Sequence, residues 1–269
     1  MRNLALSSLI GVFLASASCL AAEERQPWIH AQSVLTAAMK DIDSGGGIRG
    51  IESDIPDLEK ELANALPELS PIPVNADDAI ILTDGIAQTL MIAAVAKDQK
   101  FKKVSAVPDP YPGIGLYLGS YYNEVGRPQD ALRVLNAGIV VSDANGLGLG
   151  KHDPVLISEK GAAQEALRQF DDAIATYTAG VKLASNDDSD RARMFRGIGY
   201  SLTELGRLDD AERAYRKSLT CEPGNAHAEN ELKYIAQLRA GKPATSGALE
   251  TVLPKPETQV PPGSCPKEW

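Results

Sequence analysis

Along most of the chain, apolar residues recur with the three-to-four-residue spacing of helices, and few stretches alternate at period two. From about Pro112 this pattern predicts helices in pairs. A further helix, Ala226 to Ala240, carries Ala228, Leu232, Ile235 and Ala236 on one face and would cap the last pair. Upstream, Trp28 to Lys40 is moderately amphipathic, and Pro56 to Leu66 opens with a proline suited to a first helical turn after Asp54. Asp78 to Lys97 is apolar on nearly every side, through Ile80, Ile81, Leu82, Ile86, Leu90, Met91, Ile92 and Val95. With Asp84 and Gln88 inside it, the expectation is a buried helix packed against the first pair, not a membrane span. The stretch Pro108 to Gly113 leads into the paired helices. Beyond Gly241 six prolines, from Pro243 to Pro266, exclude regular structure and predict an extended, mobile tail. The expected class is all-α.

Three stretches, residues 117–135, 159–177 and 197–215, align without gaps. Each has a glycine (Gly119, Gly161, Gly199) twelve residues before an alanine (Ala131, Ala173, Ala211). A bulky residue follows four later (Leu135, Tyr177, Tyr215), and a small one three after that (Gly138, Gly180, Ser218). The small residues let two helices approach closely, the bulky one fills the next hole, and Gly126 or Gly206 ends the first helix of its pair.

This arrangement resembles the tetratricopeptide repeat, a 34-residue unit of two antiparallel helices stacked into a solenoid. Units would begin near Pro112, Pro154 and Ala192, with Pro223 closing the third where the family favours proline. The second unit departs from the pattern, with Lys160 and Arg168 where an apolar residue and a glycine are usual. The glycines are 42 and then 38 residues apart, so loops around 142–153 and 185–190 lengthen the connections. The resemblance implies a protein-binding array whose first helices line a concave face. Carried over, that face holds Leu116, Ser120, Asn123 and Glu124 in the first unit and Ser158, Ala162 and Glu165 in the second. In the third it holds Arg193, Arg196, Tyr200, Thr203 and Glu204. The Lys and Asn clamp with which some members hold a terminal carboxylate is not reproduced. Arg193 and Arg196, three apart, could still receive an acidic group, or Arg193 could offset Asp187, Asp188 and Asp190.

Composition agrees with this picture and adds a compartment. The 269 residues are 43% hydrophobic, which excludes global disorder, but only 5% aromatic, as a core packed through Gly and Ala would be. Arg2 followed by the apolar run Leu4 to Leu14 and the small-residue sites Ala15-Ser16-Ala17 and Cys19-Leu20-Ala21 read as a secretory signal over residues 1–22. Glu23, Glu24 and Arg25 end the run short of a membrane span. The expectation is therefore export, to the periplasm. A lipoprotein reading would acylate Cys19 and is disfavoured by Ser16 three residues before it. A net charge of -9 argues against nucleic acid and anionic lipid as partners. In an oxidising compartment Cys221 and Cys265 could pair and tie the tail to the body, or remain two free thiols.

Catalytic patterns are sparse. His30, His152 and His227 are scattered, and no zincin, Cys-x-x-Cys or nucleophile-elbow motif occurs. Gly146 to Lys151 mimics a phosphate loop but lacks its first glycine and its Ser or Thr, and reads as a connection. Asp41, Asp43, Gly46, Ile48 and Glu52 resemble an EF-hand calcium loop, although Gly45 brings no side-chain oxygen to the fifth position.

The sequence is thus expected to divide into a signal (1–22), an N-terminal helical region (23–111), three repeat units with a capping helix (112–240) and a proline-rich tail (241–269). The expected function is a non-catalytic scaffold or assembly adaptor of the cell envelope that needs no cofactor and docks a protein or peptide in the groove. The alternatives are metal or ligand binding through the Asp41–Glu52 loop and an accessory role to an envelope enzyme.

Overall fold

The computed structural model describes residues 27–66, 71–83, 101–142, 154–184, 187–241 and 265–269. The signal segment, the loop at 146–151 and most of the tail lie outside them. The chain forms two compact units, one of residues 1–114 with 140–150 and one of 115–139 with 151–269.

In the first unit, α1 (Pro27–Asp41) buries Ala31, Leu35 and Ala38, spaced four and three apart on one face. A wide turn (Ile42–Gly46) and a tight helical turn (Gly47–Ser53) lead into α2 (Ile55–Ala63), which buries Leu58 and Leu62. Gly45 and Gly47 take φ of 106° and 55°, which an L side chain resists. Gly50 lies against the end of α1, where an added Cβ would come within 2.6 Å of the Asp41 carbonyl oxygen.

The expected helix from Asp78 does not form over its first five residues. Asp78–Leu82 is instead a strand, β2, flanked by β1 (Ile72–Pro73, antiparallel) and β3 (Lys103–Val107, parallel). The rest of the expected helix, from Asp84, lies outside the described residues. Two consecutive β-branched residues, Ile80 and Ile81, suit a strand buried on both faces, and Ala79 to Leu82 are all buried. Asn75 Oδ1 accepts the Asp77 and Asp78 amides at 2.8 Å and shapes the turn into β2.

The second unit holds the helix pairs: α3 (Tyr111–Glu124, whose first turn belongs to the first unit) with α4 (Pro128–Ser142), α5 (Pro154–Ala166) with α6 (Phe170–Leu183), and α7 (Asp188–Glu204) with α8 (Leu208–Cys221). A final helix, α9 (Ala226–Arg239), buries Ala228 and Ile235 as the cap. This is an all-α solenoid built as the repeat spacing predicts. Each pair touches through its glycine: a Cβ at Gly119 would strike Leu135, and one at Gly161 or Gly197 would strike the Tyr177 ring from either side. At Gly199 it would sit 2.8 Å from Tyr215 Cε2.

First helices end alike. Gly126 and Gly206, with φ of 72° and 71°, send their amides to Asn123 and Thr203, while the next amides reach Tyr122 and Leu202 at 2.8 Å. Arg168 makes the same turn without being glycine, at φ 59°. The loop before α7 supplies its cap: Asp187 Oδ1 accepts the Ser189 amide at 2.8 Å and the Asp190 amide at 3.2 Å.

The end of the tail does not trail free. Cys221 and Cys265 form a disulfide across 44 residues, and Cys265 is buried against the third pair.

Candidate partner-binding site

The first helices α3, α5 and α7 stand in one row, joined by polar side chains. Asn123 Nδ2 donates to the Glu159 carbonyl and to Glu159 Oε2, both at 3.0 Å, and Arg193 reaches Glu159 Oε1 at 2.6 Å. Glu159 thus bridges the first and third units. Further along the row the Ser201 hydroxyl donates to Glu165 Oε1 at 2.9 Å, and Arg168 pairs with Glu204 at 3.6 Å. The Tyr200 ring, 41% exposed, meets Phe170 edge-on at 6.4 Å between centroids.

Glu165 is the unusual group. Burial pushes its carboxyl up to about 7, against the pull of hydrogen bonds from Ser201 and from the Tyr177 hydroxyl. Tyr177 is pushed well above the usual phenol range by burial and by Glu165. A carboxyl poised near neutrality, with two hydroxyls on it, can exchange its proton for a cation brought by a partner.

The structure sorts the residues expected on the groove. Glu124, Arg193, Tyr200 and Glu204 are exposed, and Asn123 and Glu165 are half-buried in the row. Thr203 is buried and donates to the Gly199 carbonyl at 2.9 Å, a bond within its own helix that offers nothing to a partner. Arg196 turns away from Arg193 to pair with Glu222 at 2.6 Å, below α8. The two arginines therefore do not converge on an acidic group. Nor does Arg193 offset the aspartates of the preceding loop, since it pairs with Glu159.

Sequence reasoning missed Glu159, Ser201 and Arg168 as members of the row. A signal was present: the pairs Asn123/Glu159, Glu165/Ser201 and Arg168/Glu204 are each 36 residues apart, close to one repeat.

The calcium-like loop takes another shape. Asp41 lies against Asp54, whose carboxyl is pushed up by burial and by Asp41, and Asp43 and Glu52 point to solvent from different turns. Among the described residues, no three His, Cys, Asp or Glu side chains gather as a metal site. No described helix is long and apolar enough to cross a membrane.

A row of stacked helix pairs, joined by polar bridges and bearing an exposed aromatic, defines a helical-repeat array similar to tetratricopeptide repeats. No family model matches the chain. It is similar to the RNA polymerase II-associated protein 3 of Homo sapiens, 31% identical over 124 residues, 46% of this chain and 17% of that protein. The mouse protein of that name is 28% identical over 137 residues, 49% of this chain and 19% of its own length. The chain thus spans less than a fifth of these relatives. Among solved structures, the NMR structure of the first TPR domain of the human RPAP3 protein superposes at a TM-score of 0.42 with 24% identity, covering 49% of this chain and 94% of that one. The relatives' name concerns RNA polymerase II and lends no support to an exported location.

Proposed function

We propose that this protein is a non-catalytic adaptor that holds a segment of a partner protein along the row formed by α3, α5 and α7. The observation that carries the reading is the Tyr200 ring, left 41% exposed in the middle of polar bridges that fix three helices as one surface. An exposed aromatic on a rigid frame binds with little loss of side-chain freedom, which is why such residues anchor interfaces. Around it Glu204 is paired with Arg168 and burial holds the Glu165 carboxyl up to about 7, so the favoured segment is one that brings an apolar side chain to Tyr200. The relatives' name, RNA polymerase II-associated protein 3, describes proteins that associate with another protein, which supports a partner-binding reading.

The partner is proposed to be met outside the cytoplasm. The signal-like residues 1–22 and the Cys221–Cys265 disulfide support export, since such bonds persist in oxidising compartments.

A photo-crosslinking amino acid at position 200 tests the adaptor reading. It should yield adducts that the same group at Arg216, on the outer helix α8, does not. Identical adducts at both positions, or none at 200, would remove the assignment of this surface. Deleting residues 2–22 should retain the protein in the cytoplasm; unchanged fractionation would refute export.

A further inference from the structure

The last five residues are bound to the third pair as a peptide ligand would be. Arg191, only 4% exposed, donates from Nε to Cys265 Sγ at 3.1 Å, while its other nitrogens are engaged by Asp188 and the Ala184 carbonyl. Lys217 donates to the Glu268 carbonyl at 2.8 Å. The same ammonium lies 5.0 Å from the Trp269 ring centre and 5.6 Å from that of Phe195. Phe195 and Trp269 meet at 6.3 Å. Beside Trp269 a recess of about 350 Å³ is lined by Arg207, Asp210, Arg213 and Lys217.

These contacts divide as in peptide recognition: an aromatic anchor, one main-chain carbonyl read by a lysine, and a buried arginine at the segment's start. We propose that this surface of α7 and α8 is a docking site for a short extended segment with a tryptophan anchor, filled by the chain's own residues 265–269, and that the Cys221–Cys265 bond decides which copy's segment fills it. With the bond closed, the tethered segment is always at hand and excludes competitors. A dithiol reductant opens it: two electrons and two protons convert the disulfide to two thiols, and the reductant leaves as its own disulfide. The segment is then held only by the contacts above, and residues 265–269 of a second copy of this chain compete on equal chemistry.

The site shares no residue with the row around Tyr200, so the two readings stand or fall separately. The test is fluorescence anisotropy with a labelled peptide of residues 265–269 carrying Cys265→Ser. The oxidised full chain should exclude it. The full-length Cys221→Ser/Cys265→Ser/Trp269→Ala variant should bind it at least ten-fold more tightly, and adding Lys217→Ala should reverse the gain. Equal or absent binding to both, with the variant folded by circular dichroism, overturns the proposal. A second readout uses the unaltered protein and does not depend on how a variant folds. Trypsin should cleave after Lys267 at least ten-fold faster after dithiothreitol treatment, and equal rates with and without reductant overturn the control assigned to the disulfide.

Discussion

Arg168 shows what one residue's chemistry does to a repeated turn. It holds φ at 59° where Gly126 and Gly206 sit at 72° and 71°, and a side chain in that region costs about 1 kcal/mol. Its guanidinium recovers part of this over the Phe170 ring, 5.2 Å away, and toward Glu204. Arg168→Gly should therefore stabilise the protein by about 0.5 kcal/mol in urea titrations, a gain measured as a higher midpoint at unchanged slope. Glu165 acts through protonation. Its folded-state value of about 7 lies above the usual 4.5, so the folded protein holds a proton that the unfolded chain has lost. That contribution is fully present below pH 4.5 and is lost as pH rises to 7. Between pH 5 and 8 the wild type should lose about 2 kcal/mol more than Glu165→Gln, by denaturant melts at the two pH values.

At the scale of elements, the glycine opposite each bulky residue fixes how near two helices come. Gly199→Ala places a methyl 2.8 Å from the Tyr215 ring and should cost about 1–3 kcal/mol, and combining it with Tyr215→Leu should return part of that in a double-mutant cycle. These contacts were readable in the sequence because they are steric and recur at fixed spacing: Gly119, Gly161 and Gly199 each mark one helix pair along the chain. The strand Asp78–Leu82 was not readable, because an apolar run of that kind has no period that separates a buried strand from a buried helix, and its partner Lys103–Val107 is 25 residues further on. The groove was legible in outline only. The repeat pattern put Tyr200 and Glu204 on the surface, but the directions of Arg196 and Thr203 were set by Glu222 and by the Gly199 carbonyl, which no spacing rule along one helix reveals.

For the whole molecule, the tail is the most instructive segment. Its prolines predict an extended segment, most of which lies outside the described residues, while Cys265 and Trp269 bring its end back to the array. Closing a loop of 44 residues restricts the unfolded chain, an effect of about 4 kcal/mol in the chain-entropy account. Reduction should lower the melting temperature by several degrees in calorimetry, and Cys265→Ser should match the reduced wild type without responding to dithiothreitol.

The position of that bond also decides how the molecule would answer to a mechanical load. Tension applied at the C-terminus enters the array at Cys221, the end of α8, and the capping helix α9 lies within the closed loop, shielded from the pull. In a force-extension experiment the oxidised protein should show a contour length shorter by about 150 Å than the reduced one, because 44 residues at about 3.4 Å each stay hidden until the thiols are freed.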